Sequence, residues 1–367
     1  MTEPVSVQVH GRRALMVLPP LSGSFSGTRN VIISLIPRLS AIGWDVHTAE
    51  LPHVPPPTNP AAVRAHVAAS VASVQRSWAD WRPDVVHVEY PDPAGAGVMQ
   101  AARAAGIAVT GDFHHIHLHL PTAQRPRVLA LVCQAFAVCD AVFTETLQGL
   151  GNLHGHGISQ AVYLPRGVDG ERFHPRYRDP AMRCTWGVQA DEPVLLSFGR
   201  MIPIKRLDRF VIAAEALRHA VPSARVVLIG EGSEEPMLRR LMPWAHFLGP
   251  MHGPALAAAV ASCDVFAFPS PEEPFGNASL EAAAAGVAVV AARCGAAAEI
   301  LGPEASLLSD PDDPLGFIAD VVALGRDPAR RQAVATAARL RMADLSWEAI
   351  AARWSAVWQD ILARRHS

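Results

Sequence analysis

Residues 193–210 read PVLLSFGRMIPIKRLDRF. Val194–Phe198 is a short apolar run of strand length, Gly199 breaks it, and from Arg206 to His219 apolar residues recur at helical spacing. Strand, glycine turn and helix open a parallel α/β unit. Downstream the alternation holds, with ARVVLIGEG, a helix over 234–241, AHFLG, a helix over 255–262, DVFAFPS, a helix over 278–285 and VAVVAA. The pattern predicts a doubly wound parallel sheet, whose ligands bind outside the carboxyl ends of the strands.

Upstream, 174–191 is rich in Pro and Arg and weakly periodic, and a similar alternation precedes it. Ala14–Leu18 leads into the small-residue stretch LPPLSGSFSGT, then the helical pattern VIISLIPRLSAIG, then WDVHTAEL. Pro37 either kinks that helix or sits in its first turns. PDVVHVEYP and IAVTGDF flank the helical AGVMQAARAAG, and DAVFTET and QAVYLPRGV follow. The fold class read here is α/β: two Rossmann-like doubly wound domains, 1–176 and 177–346, facing a central cleft. LPHVPPPTNP reads as a loop.

A chain of 367 residues exceeds what one core usually serves. Half the residues are apolar and 18% charged, yet no apolar stretch is long enough to span a bilayer, so a soluble protein is expected. MTEPVSVQVHGRR lacks the apolar core of a signal peptide, which points to the cytoplasm. Five scattered cysteines with no CxxC pair suit packed thiols in a reducing compartment. A formal charge of −2 provides no basic field for nucleic acid.

Of 32 basic residues, Lys205 is the only lysine. Strand Val194–Phe198 delivers Gly199, Arg200 and Lys205 to one sheet end, where a planar fork and a point charge suit a diphosphate without a metal. The bland alternative is a helix-end ion pair with Asp208. In SPEEPFGNASLEAAAAG, the turn around Phe275 and Gly276 enters a helix whose free N-terminal amides can seat an anion or sugar hydroxyls. Glu273 stands in that loop and Glu281 in the first turns of the helix. One carboxylate can meet a sugar and the other a ribose; two solvated acids are the plain alternative.

Taken together, the GR, then Lys205 and Asp208, the GEG after a strand, HFLGP, the spaced acids of EEPFGNASLE, CGAAAEIL and the late LSWEAIAARWSAVWQDIL resemble retaining glycosyltransferase family 4, of the GT-B fold. In the first half SGSFSGT, PDVVHVEYP, DFHH and PRGVDGERFHP carry the likeness. The resemblance implies that Arg200 and Lys205 bind the donor diphosphate, Glu273 the transferred sugar and Glu281 the ribose. It implies that Gly199 and backbone amides of Phe275, Gly276 and Asn277 line the donor, that Gly27 approaches the phosphates, and that His114 touches the sugar. It also implies that the final helix, 347–367, returns to the first domain; its stripe of Trp347, Ile350, Trp354, Trp358 and Ile361 needs a partner surface. This sequence departs from the family with Ser26 before Gly27, Arg166 where Asn is usual, and Ala296 for a common glycine.

The segment HHIHLH invites a metal reading through His115, His117 and His119, but no further ligand is visible, and acceptor-site or adventitious histidines are the simpler reading. His154 and His156 read as solvent-facing in a glycine-rich loop. The expectation is a metal-independent, cofactor-free retaining transferase moving a sugar from a nucleotide-sugar, UDP favoured over GDP, to a small-molecule or saccharide hydroxyl. VRAHVAASVASVQRSWADWR is sparsely charged, which disfavours membrane association. The alternatives are a nucleotide-sugar 2-epimerase or another enzyme on the same scaffold, or a non-catalytic nucleotide-sugar binder. Turnover discriminates the last.

Overall fold

The computed structural model describes residues 12–19, 26–52, 59–114, 122–189, 191–273 and 275–366. Two all-parallel six-stranded sheets organise the chain. The first comprises β1 (Arg12–Leu18), β2 (Trp44–Glu50), β3 (Val85–Val88), β4 (Ala108–Phe113), β5 (Ala141–Thr144) and β6 (Ala161–Tyr163), in the order β2-β1-β3-β4-β5-β6. The second comprises β7 (Val194–Phe198), β8 (Arg225–Ile229), β9 (His246–Phe247), β10 (Val265–Phe268), β11 (Ala288–Ala292) and β12 (Leu307–Ser309), in the order β12-β11-β10-β7-β8-β9. Central strands such as VVHV, AVFT and VFAF are buried along their whole length, as strands covered on both faces must be. Helices cover each sheet and complete two separate cores.

The compact units are 1–166 with 347–367, and 167–346. The division falls ten residues before the boundary read from sequence, because the stretch after Arg166 is bonded into the second unit. Val168 donates its amide to the Leu345 carbonyl at 2.8 Å, Arg178 pairs with Asp264 at 2.6 Å, and the Pro175 ring lies against Gly286.

The final helix, Trp347–His366, packs on the first unit. Its stripe Trp347, Ile350, Trp354, Trp358 and Ile361 is buried. The Trp358 indole donates to Thr110 at 3.2 Å, the Trp44 indole donates to Ser355 at 2.8 Å, and the two rings meet edge-on at 4.8 Å. Among the described residues no helix is long and apolar enough to cross a membrane.

Two local readings change. Pro37 lies well inside the helix Ser26–Ala41 and not in its first turns. The GNLHGHG segment, read as a loop, is helical through Gly155, because the Thr146 hydroxyl caps the helix by accepting from the Gly149 amide at 2.9 Å. His154 and His156 are exposed.

Candidate active site

In the second unit, β7 ends at Phe198 and hands the chain to Gly199 (φ 129°) and Arg200, both exposed. The neighbouring strand β8 ends at Ile229 and is followed by Gly230, where a Cβ would stand 2.0 Å from the Gly199 carbonyl oxygen. Only glycine lets the GR and GEG turns approach so closely. A single turn, Pro203–Lys205, then carries Lys205 toward the end of β10. Arg206 follows in the left-handed region (φ 50°), uncommon outside glycine, and its guanidinium grips Asp208 with bonds of 2.9 and 2.8 Å. The helix-end ion pair weighed for Lys205 therefore belongs to Arg206.

Lys205 instead pairs with Glu273, and its ammonium sits 5.2 Å from the centre of the Phe268 ring. Glu273 lies in the loop after β10, next to buried Phe275 and Gly276 (φ 93°), which precedes the helix Asn277–Ala284. This loop is braced from behind. The Ala296 amide donates to the Phe275 carbonyl at 2.6 Å, and a Cβ on Gly295 would stand 2.6 Å from the same oxygen. Arg200 has no ion-pair partner among the described residues. Glu281 is partly buried, and burial pushes its carboxyl from 4.5 up to about 7, with Arg172 opposing and Asp169 adding to the shift. The structure thus brings Lys205, Glu273, Phe275, Gly276 and Asn277 together, with Glu281 about one turn along the same helix.

In the first unit Gly27 falls in the first turn of the helix Ser26–Ala41, so its amide belongs to a helix start and not to the loop before it. Residues 20–25, His115, His117, His119 and Pro274 lie outside the described residues. His114 follows β4 directly, and both its ring nitrogens are engaged. Nε2 lies 3.1 Å from Glu89 Oε1; Nδ1 lies 3.5 Å from Glu145 Oε2 and 3.2 Å from Arg166 Nη2. Arg166 donates to the other Glu145 oxygen at 3.2 Å. Glu89 also meets His87 Nε2 at 3.4 Å, and His87 Nδ1 meets the Thr110 hydroxyl at 3.0 Å.

Burial alone would drive the His114 ring neutral, but hydrogen bonds and charge from Glu145 and Glu89 outweigh it and push the ring up to about 10. Burial likewise disfavours the Glu89 charge, and the bonds from His114 and His87 hold that carboxyl at about 2. Asp112, 3.8 Å from His114 Nε2, is pushed to about 7 by burial and the Glu89 charge. Glu89 and Glu145 thus favour the charged form of the His114 ring, while Arg166 reaches both the ring's Nδ1 side and the other Glu145 oxygen. Sequence reasoning singled out His114 and missed Glu89 and Glu145. Their signal was an acid at the carboxyl end of an apolar strand, where an unpaired carboxylate would be costly. His87, Glu89 and Asp112 place ligand-type atoms within 4.8 Å of one another, the one such group among the described residues. Glu89 is already committed to two imidazole rings.

Two doubly wound sheets with charged side chains at their strand ends have the architecture of GT-B glycosyltransferases. Sucrose-phosphate synthase from Thermosynechococcus elongatus matches the fold with a TM-score of 0.78, over 96% of this chain and 100% of that one, at 19% identity. Residues 25–172 match the model of Glycosyltransferase Family 4, and 192–327 match Glycosyl transferases group 1. A GDP-mannose-dependent alpha-mannosyltransferase of Mycolicibacterium smegmatis is 30% identical over 290 residues, 77% of this chain and 75% of the relative. The chain belongs to glycosyltransferase family 4, whose members retain anomeric configuration, and it is a glycosyltransferase.

Proposed function

We propose that the enzyme moves a hexosyl group from a nucleoside-diphosphate sugar to a hydroxyl of a small-molecule or saccharide acceptor, without a metal or other cofactor. The observation that carries this reading is the protein's only lysine, paired with Glu273 at the start of a helix and flanked by exposed Arg200. An arriving diphosphate offers Lys205 a second anion. Arg200 adds a planar fork, and the amides of the helix Asn277–Ala284 add partial positive charge where the leaving group gains negative charge. Glu273 is then free to accept bonds from sugar hydroxyls, and Glu281 from the ribose. Such a reaction needs positioning and charge stabilisation and no covalent intermediate. We assign His114 to the transferred sugar, Gly27 to the phosphates and Gly199 to close approach of the donor.

The sequence inclined to UDP. The mycobacterial relative is named for GDP-mannose, which makes that donor the first to test, beside UDP-sugars. The epimerase alternative draws no support from such a relative. Calorimetric titration of the purified protein with GDP and UDP in chelator is the direct test. Binding that survives chelation is expected, and binding that appears only on adding a divalent cation would refute the metal-free reading.

A further inference from the structure

We propose that Glu89 and Arg166 are positioning residues of the transfer reaction: Glu89 with Glu145 keeps the His114 ring a permanently charged imidazolium, and Arg166 fixes Glu145 against that ring. The inference rests on the assignment of His114 to the transferred sugar. It goes further in saying that the side chain contributes an oriented positive charge and not a proton that comes and goes.

The topology places these groups side by side. Glu89 follows β3, His114 follows β4, Glu145 follows β5 and Arg166 lies on the chain leaving β6, four neighbouring strands of one parallel sheet. Every member is nearly enclosed, with side-chain exposures of 0% for Glu89, 8% for His114, 5% for Glu145 and 13% for Arg166. Two carboxylates and two cations balance in a space where one uncompensated charge would be costly. The facing groups are His87 from β3 and Asp112 from β4; from the final helix Trp347, Ile350 and Trp354 line the same recess, none of them titratable. The family's usual Asn at the Arg166 position could donate a bond but no charge. Here Arg166 offsets Glu145, so Glu145 can be buried against the ring without an excess negative charge. Nε2 is directed to Glu89, and Nδ1 stands 3.5 Å from one Glu145 oxygen and 3.2 Å from Arg166 Nη2; with Arg166 donating to the other Glu145 oxygen, the Nδ1 proton goes to Glu145, and the imidazolium has neither a lone pair nor a spare proton to exchange.

The test uses the intact protein labelled at its histidine rings, with the His114 signal identified by its loss in His114→Ala. In wild type the ring should stay imidazolium from pH 5.5 to 8.5. In Glu89→Gln it should titrate inside that window, and kcat, alone among the kinetic constants, should gain an alkaline fall of about tenfold between pH 6 and 8, as a ring near its ordinary value loses its proton. If Glu89→Gln does not fold, Glu145→Gln removes the other carboxylate and should give the same limb. Arg166→Ala should lower kcat evenly across pH with the ring still charged, because both carboxylates remain on the ring while Glu145 loses the side chain that fixes its position. A wild-type ring with a midpoint below pH 7.5 in an active enzyme would overturn the inference. So would a Glu89→Gln enzyme slowed equally at all pH. A charged ring in a protein that transfers no sugar would instead sink the reading of the reaction.

Discussion

Lys205 meets Glu273 across 68 residues of sequence and leaves Asp208, its near neighbour, to Arg206. A charged hydrogen bond contributes about 1.5–3 kcal/mol, so Lys205→Ala should weaken nucleoside-diphosphate binding by about 10- to 100-fold and leave nucleoside binding nearly unchanged. Lys205→Arg should restore only part, since a planar fork does not fill the place of a point charge. Equal losses for both ligands in calorimetry would contradict the phosphate assignment. Glu281 permits a second test at this scale. Its carboxyl is raised from 4.5 to about 7 in the folded chain, so between those values the folded state holds a proton that the unfolded state has released, and stability falls as pH rises through that interval. Glu281→Gln carries no such penalty. Its melting temperature relative to wild type should rise between pH 5 and pH 8; a pH-independent gap would show that the carboxyl is not perturbed. Lys205, Glu273 and Glu281 were legible in the sequence because each stands at a fixed offset from a strand end or helix start. The partners of His114 were not, because Glu89 and Arg166 are 25 and 52 residues away and meet it only when neighbouring strands align.

At the level of elements, the alternation of short apolar runs with helical periods already contained both sheets, since strands buried on both faces leave that pattern. What it could not contain was how one loop braces another. The loop bearing Glu273 is held by the turn at Gly295, whose φ of 53° and 2.6 Å approach to the Phe275 carbonyl leave no room for a Cβ. Gly295→Ala should therefore displace Glu273 and cut kcat by about tenfold or more, with helix content unchanged by circular dichroism, because small misplacement of a positioning group is costly in rate. Unchanged turnover would show that the brace does not set the loop. The boundary near Arg166 was hidden for a similar reason: residues 167–176 lack a periodic signature and are claimed for the second unit by individual bonds such as Val168 to Leu345.

Across the whole molecule, the chain divides into two units of doubly wound topology with separate cores, and the helix Trp347–His366 returns to the first by burying a five-residue aromatic and aliphatic stripe that the sequence displays openly. Donor base and acceptor are not written in such patterns, because they depend on a few groups whose spacing in the chain has no period. The proposed reaction is retaining transfer from a nucleotide-sugar by a site that supplies its own positive charge. It is tested most directly by proton NMR of the enzyme with an α-linked nucleotide-sugar, GDP-mannose first and UDP-sugars beside it, in chelator. Release of the nucleoside diphosphate is expected together with a transferred or hydrolysed sugar that first appears as the α anomer. A first-formed β anomer, or no release from any donor until a divalent cation is added, would contradict it.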